Sequence, residues 1–88
     1  MPEETNRVAV EILGERYILK GDMPPDYIRR IAGEVDQRLR DIVNRHSRIP
    51  ITKAAVLVAV NLADELNRLQ ESYDGLVKMI ESEKVQSK

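Results

Sequence analysis

Residue types that carry most enzyme chemistry are thin in this chain of 88 residues, which holds one histidine, His46, and no cysteine. A zinc site needs three or four His, Cys or carboxylate ligands, and a nucleophile needs a neighbouring base to take its proton. Ser47, Thr52 and Ser72 have no His and Asp constellation around them, and His46 reads as a connector residue. Asp64 and Glu65 are adjacent in a helical segment and point about 100° apart, a poor arrangement for sharing a proton. Neither a GxGxxG nor a P-loop is present, and Gly14 and Gly21 bracket a hairpin rather than a phosphate. The expectation is a protein that is not an enzyme, with no metal, no cofactor and no small-molecule substrate.

Charge offers a different kind of chemistry. The formal net charge is −1, yet residues 27 to 53 carry seven basic side chains (Arg29, Arg30, Arg38, Arg40, Arg45, Arg48 and Lys53) against Glu34, Asp36 and Asp41. A region of one sign steers an oppositely charged partner and sets its register more than it supplies affinity. A basic helix on a coiled-coil scaffold also fits a dimeric nucleic-acid-binding protein. Against that class, acids interrupt the basic run, the pI is about 5.8, and no aromatic platform exists on which bases would stack. A general coiled-coil adaptor is a third reading.

Length limits how these residues can be held. A chain this short has room for one domain and buries only about 60% of its unfolded surface, so a private core leaves stability marginal. Charged residues make up 33% and aromatics only 3%, a profile that leans towards helical, oligomeric structure. No disulfide framework is possible without cysteine, and a reducing cytoplasm is permitted. No run approaches the roughly 18 apolar residues of a membrane span, and "MPEETNR" is acidic and polar, unlike a secretory signal. A soluble, intracellular protein is expected.

Periodicity marks out three segments. In "RVAVEIL" Val8, Val10 and Ile12 alternate with Arg7, Ala9 and Glu11, the period of a half-buried strand. "RYILKG" comes after Gly14 and Glu15, so a β-hairpin is predicted over residues 7–21, with Gly14 at the first central position of a type II′ turn. A lone hairpin is marginal in water and must lie on helices or pair with a second copy. "GDMPPDY" then opens an amphipathic helix over 24–47, with Asp22 as its expected N-cap. Its stripe is Ile28, Ile31, Val35, Leu39 and Ile42, widened by Ala32 and Val43. Gly33 in its interior costs roughly 1 kcal/mol against Ala, which reads either as a close helix contact or as a cost simply tolerated. Pro50 ends this helix, and Thr52 is the expected cap of the next.

The third segment opens with "KAAVLVAVNLA", apolar on all sides and therefore expected at the centre of a multi-helix core. Val56 and Val60 belong to this run. Beyond it the apolar stripe narrows to a seam at alternating steps of three and four. Ala59, Leu66, Tyr73 and Ile80 fall at a, and Leu62, Leu69, Leu76 and Glu83 at d, of a heptad repeat. A helix over about 52–84 is roughly 50 Å long, whereas a compact monomer of this length has a radius of gyration near 12 Å. Another chain must cover the rod. Asp74 and Gly75, a poor helix pair, and Glu83 weaken its end.

The expected organisation is a flexible N-terminus over 1–6, a globular head over 7–61 in which helix two starts at 52, a coiled-coil stalk over 62–84, and a tail over 85–88. The fold class is α+β, mainly α. Two stretches, "VEILGERYILKGDMPPDYIRRIAGEVDQRLRDI" and "KAAVLVAVNLADEL", together closely resemble the ZapA family of bacterial Z-ring-associated cell division proteins. The resemblance covers about residues 8–70. It implies head-mediated dimers that pair through antiparallel coiled coils into tetramers, and a non-enzymatic activity: binding the tubulin-like polymer FtsZ, bridging its filaments and promoting Z-ring assembly at the cytoplasmic mid-cell division site. It implies FtsZ contact through basic residues after the hairpin glycine and around the end of helix one. Those correspond to Arg16, Arg45 and Arg48, with Arg38 and Lys53 in the same basic region. Self-association falls to Val56, Ala59, Val60, Leu62, Leu66, Leu69, Tyr73, Leu76 and Ile80.

Overall fold

The computed structural model describes residues 5–86, with side chains described as far as Ser82. Residues 1–4 of the expected flexible N-terminus, residues 87 and 88 of the tail, and the Glu83 side chain lie outside the described residues. The order of elements is β1 (Asn6–Ile12), β2 (Glu15–Gly21), α1 (Pro25–Arg45) and α2 (Ile51–Gln86). The expected hairpin and two helices are therefore present, and the chain is mainly helical.

Strands β1 and β2 pair antiparallel, with Val8 opposite Leu19 and Val10 opposite Tyr17. Alternation works as the sequence implied: Val8 and Val10 are buried while Arg7, Ala9 and Glu11 are exposed. The turn differs from expectation. Ile12 pairs with Glu15, so the loop residues are Leu13 and Gly14, at φ 50° and 78°. Positive φ at both central positions is a type I′ turn, whose twist matches that of the flanking strands. The expected type II′ turn with Gly14 and Glu15 at its centre is thus one residue out of register. Leu13 bears a cost of about 1–2 kcal/mol for its left-handed backbone. Two contacts offset it: its half-buried side chain packs into the core, and its N–H donates to Asp36 Oδ1 at 2.7 Å.

Helix α1 starts from Pro24, at φ −59° and ψ 145°, with no side-chain cap. Asp22 is therefore not the N-cap. Pro25 takes the first helical position, where its missing N–H is no loss, and the Ile28 N–H reaches back to the Pro24 carbonyl at 3.1 Å. The inward face presents Ala32 and Leu39, both buried, with Ile28, Val35, Ile42 and Val43 half-buried, while Ile31 is exposed. Gly33 has no atom within 4 Å of where a Cβ would sit, so the close approach its presence suggested is not made within this chain.

At the far end of α1 the His46 N–H donates to Ile42 O at 2.9 Å and the Ile49 N–H to His46 O at 3.0 Å, a tight reversal. Helix α2 then begins at Ile51, and the Ala54 N–H donates to Pro50 O at 3.0 Å. Thr52 consequently lies inside the first turn instead of capping it. The backbone uses Pro50 itself as the last non-helical residue, because proline forces extended geometry on Ile49 but leaves Ile51 and Thr52 free to turn.

Two small hydrophobic clusters hold the head. Val8, Val10 and Ala32 form one, flanked by Ile12, Leu19 and Ile28. Leu39, Ala54 and Val58 form the other, flanked by Ile12, Leu13, Val35, Ile42, Val43 and Ile49. Ile12 joins both. Two compact units part between Val58 and Ala59, so the head core ends within the first two turns or so of α2. The Ala/Val run is buried on one side only: Ala54 and Val58 are covered, but Val56, Leu57 and Val60 are exposed in this chain. Full burial of that run, as the sequence suggested, is not reached by one chain.

Candidate partner-binding and assembly surfaces

Basic residues in the head divide according to what they touch. Arg29 pairs with Asp26 at 3.1 Å and Arg40 with Asp36 at 2.8 Å, both on α1. The Arg30 guanidinium lies 5.3 Å from the centre of the Tyr27 ring. Arg38 is half-buried and already engaged. Arg16, Arg45, Arg48 and Lys53 are exposed and, among the described residues, make no ion pair.

Those four cations come from four places in the head. Arg45 closes α1, Arg48 sits in the reversal and Lys53 lies in the first turn of α2. Arg16 is the second residue of β2, just past the turn. Leu13, at the hairpin tip, and Ile49, in the reversal, both pack against the cluster of Leu39, Ala54 and Val58, while the Leu13 N–H bonds to Asp36 near the middle of α1. Beside Arg48 lies a shallow hollow lined by His46, Ser47, Ile49 and Leu57. Cations around a partly apolar floor suit an acidic protein surface with an aliphatic side chain to bury. Arg38, placed in the same group from sequence, is not a free cation.

Asp36 is a functional group that sequence reasoning counted only as an interruption of the basic run. One carboxylate oxygen accepts the Leu13 N–H and the other accepts Arg40 Nε at 2.8 Å, with 20% of the side chain exposed. Its spacing of four from Arg40 was legible as a helical ion pair. The bond to Leu13, 23 residues away, was not. The Leu13 N–H first, and then the Arg40 guanidinium, hold the Asp36 carboxyl below its ordinary value of 3.8. Because the folded carboxyl titrates below the unfolded one, this contact favours the fold at every pH above about 3.8, and its contribution is lost as pH falls through the lower folded value. The Leu13 amide proton shift, followed by NMR from about pH 6 downwards, is expected to move with an inflection below 3.8; an inflection at or above that value contradicts the contact.

Within the second unit, α2 presents the seam to solvent along its length. Ala59, Leu62, Leu66, Leu69, Tyr73 and Ile80 are exposed, Leu66 and Leu69 at 66% and 68%, as is Leu76, and Met79 adds to the stripe. An Arg68–Asp64 pair at 2.9 Å and the Gln70–Asp74 hydrogen bond at 3.2 Å stabilise the polar faces. The helix runs unbroken through Asp74 and Gly75. A monomeric soluble protein rarely leaves so long an apolar stripe uncovered. Among the described residues no group of three His, Cys, Asp or Glu converges as a metal site, and no helix is long and apolar enough to cross a membrane.

Comparison with known proteins is consistent along nearly the whole chain. A family model described as "Cell division protein ZapA" matches residues 8–88. A protein of that name from Geobacillus thermodenitrificans (strain NG80-2) is 38% identical over 82 residues, spanning 93% of this chain and 90% of the relative. Another from Geobacillus sp. (strain WCH70) is 34% identical over 82 residues, spanning 93% and 94%. Among solved structures, a ZapA mutant dimer from Geobacillus stearothermophilus superposes with a TM-score of 0.72 at 31% identity, covering 91% of this chain and 93% of that one.

Proposed function

This chain belongs to the ZapA family of cell division proteins, and from that premise we propose that it binds FtsZ, cross-links its filaments and promotes assembly of the Z-ring, without catalysing a reaction. The observation that carries the reading is the division of labour along the chain. Four cations that make no ion pair among the described residues are exposed on the head, three of them around the α1–α2 reversal, and an uncovered seam runs along α2. The cations provide a docking face for an acidic polymer. The seam joins copies, so that each assembly offers that face more than once.

Repetition matters more than the strength of one contact. Exposed ion pairs contribute only about 0.2–1 kcal/mol each, so one head holds a filament weakly. Joining heads makes the second contact intramolecular, which raises avidity by about 10²–10⁴ when geometry permits both to engage. Bundled filaments are the consequence. Assembly starts from homodimers, a reading supported by the mutant dimer among the related structures, and these pair into tetramers through an antiparallel seam formed by residues 62–84. The protein works in the cytoplasm at mid-cell and needs no cofactor.

Cosedimentation with FtsZ polymer, scored together with light scattering, tests this reading. The expected result is that the chain pellets with polymer and that scattering rises with added protein as filaments bundle. Failure to pellet contradicts the proposal; retention on DNA that falls steeply with salt instead supports the nucleic-acid reading.

A further inference from the structure

Asp36 stands apart from both surfaces yet connects to one of them through the backbone. The turn it holds is short and strained: two residues, Leu13 and Gly14, both left-handed. Nothing in the local sequence makes Leu a good occupant of such a position, since a Cβ opposes positive φ and Asn, Asp or Gly is the usual choice. The backbone there depends on contacts made at a distance. One is the packing of the Leu13 side chain against the cluster of Leu39, Ala54 and Val58. The other is the Asp36 carboxylate, whose Oδ1 takes the Leu13 N–H at 2.7 Å while its Oδ2 is held by Arg40 Nε at 2.8 Å.

Arg16 begins three residues beyond that N–H, paired across the ladder with Glu11. A two-residue turn leaves no slack between Leu13 and Arg16, so the orientation of the turn on α1 sets where the Arg16 side chain starts. We propose that Asp36 is a positioning residue for partner binding: by clamping the left-handed turn to α1 it fixes where Arg16 is presented to the partner. The proposal rests on the reading that Arg16 contacts FtsZ. Without the clamp, the turn loses one of two contacts that offset its strain and samples other arrangements, and Arg16 is presented to the partner only part of the time. An affinity that depends on a fractionally populated arrangement falls by that fraction.

Arg40 has a supporting place in the clamp. It neutralises the carboxylate, orients its two oxygens and lies within the field of Glu11 on β1. Asp36→Asn keeps an oxygen able to accept from Leu13 and gives up the charge that draws Arg40. Asp36→Ala removes both interactions.

A double-mutant cycle on Asp36 and Arg16, with FtsZ-polymer binding as the readout, tests the inference. In the otherwise unchanged chain, Asp36→Ala is expected to weaken binding about tenfold and to speed hydrogen exchange of the Leu13 amide, with the helical circular dichroism and the assembly mass retained. Asp36→Asn is expected to restore much of the affinity. In an Arg16→Ala background the Asp36→Ala effect on binding should largely disappear, because the group it positions is gone; a loss through general destabilisation persists in that background and overturns the proposal. Unaltered Leu13 exchange in Asp36→Ala overturns it as well. Should Arg16→Ala alone leave binding unchanged, the assignment of Arg16 to the docking face fails, and that failure is read separately from the exchange data on the clamp.

Discussion

Replacing Leu69 and Leu76 together by lysine is expected to break tetramers down to dimers and to abolish filament bundling. Both residues lie at d positions on the exposed seam of α2, at 68% and 55% exposure. Burying a leucine contributes about 1.5–3 kcal/mol, so two chains that each lose two such residues forfeit roughly 6–12 kcal/mol of apolar burial. Halved because the side chains are only partly exposed to begin with, that is still about 3–6 kcal/mol, or roughly 10²–10⁴ in the association constant. Four ammonium groups facing one another along the seam add repulsion and desolvation. The head core, which ends at Val58, contains neither residue, so each head should remain folded and able to bind polymer singly. Sedimentation velocity on the variant measures the change: an unaltered mass distribution removes residues 69 and 76 from the assembly surface.

Reversing Arg45 and Arg48 to glutamate carries the second large effect. The two side chains flank the reversal between α1 and α2, are exposed, and make no ion pair among the described residues. Among the described residues no ion pair is broken by the exchange. Placed against an acidic polymer, two reversed charges turn attraction into like-charge contact at every head, a penalty of several kcal/mol when the contact is close. FtsZ binding is expected to fall at least about tenfold, circular dichroism and assembly mass to stay as they are, and the remaining binding to lose most of its salt dependence. The loss should appear mainly in the association rate, which charge at an interface rim governs. Binding that survives the double reversal locates the docking face elsewhere on the head.

These two effects differ in how far the sequence foretold them. The seam was legible because its period is written directly into residues 59–80, and a helix has no other way to place Leu62, Leu66, Leu69, Tyr73, Leu76 and Ile80 than along one line. The hairpin and first helix were legible for the same reason, by periods of two and three to four. What periodicity does not encode is the competition at element ends. Asp22 and Thr52 have the right chemistry for caps, but Pro24 and Pro50 impose their own backbone geometry and take those places. The turn slipped by one residue because a glycine at φ 78° fits either central position, and only the pairing of Ile12 with Glu15 decides between them. Leu13 accepts the left-handed place because Asp36, far away in the chain, offsets part of the strain.

The candidate docking face was partly visible. A local excess of positive charge could be counted, and the end of α1 located, without coordinates. Which of those charges are free could not. Arg29, Arg30 and Arg40 have companions on their own helix at spacings of three and four, Asp26, Tyr27 and Asp36. Arg38 is half-buried and engaged. Arg16 lies on β2, and the turn before it is tied to α1 by the bond from the Leu13 N–H to Asp36, a tertiary contact between segments far apart in the chain. The Ala/Val run teaches the same lesson in reverse: its composition demands burial on all sides, and one chain supplies only the side holding Ala54 and Val58.

Sedimentation equilibrium over a concentration series from nanomolar to tens of micromolar addresses the central claim most directly, that one copy of this chain cannot shelter its own apolar surface. The account predicts a weight-average mass that rises with concentration to twice and then four times the 10.1 kDa of one chain, with helical circular dichroism throughout the micromolar range. A folded species that stays at 10.1 kDa up to tens of micromolar contradicts it, and removes with it the means by which repeated heads bridge filaments.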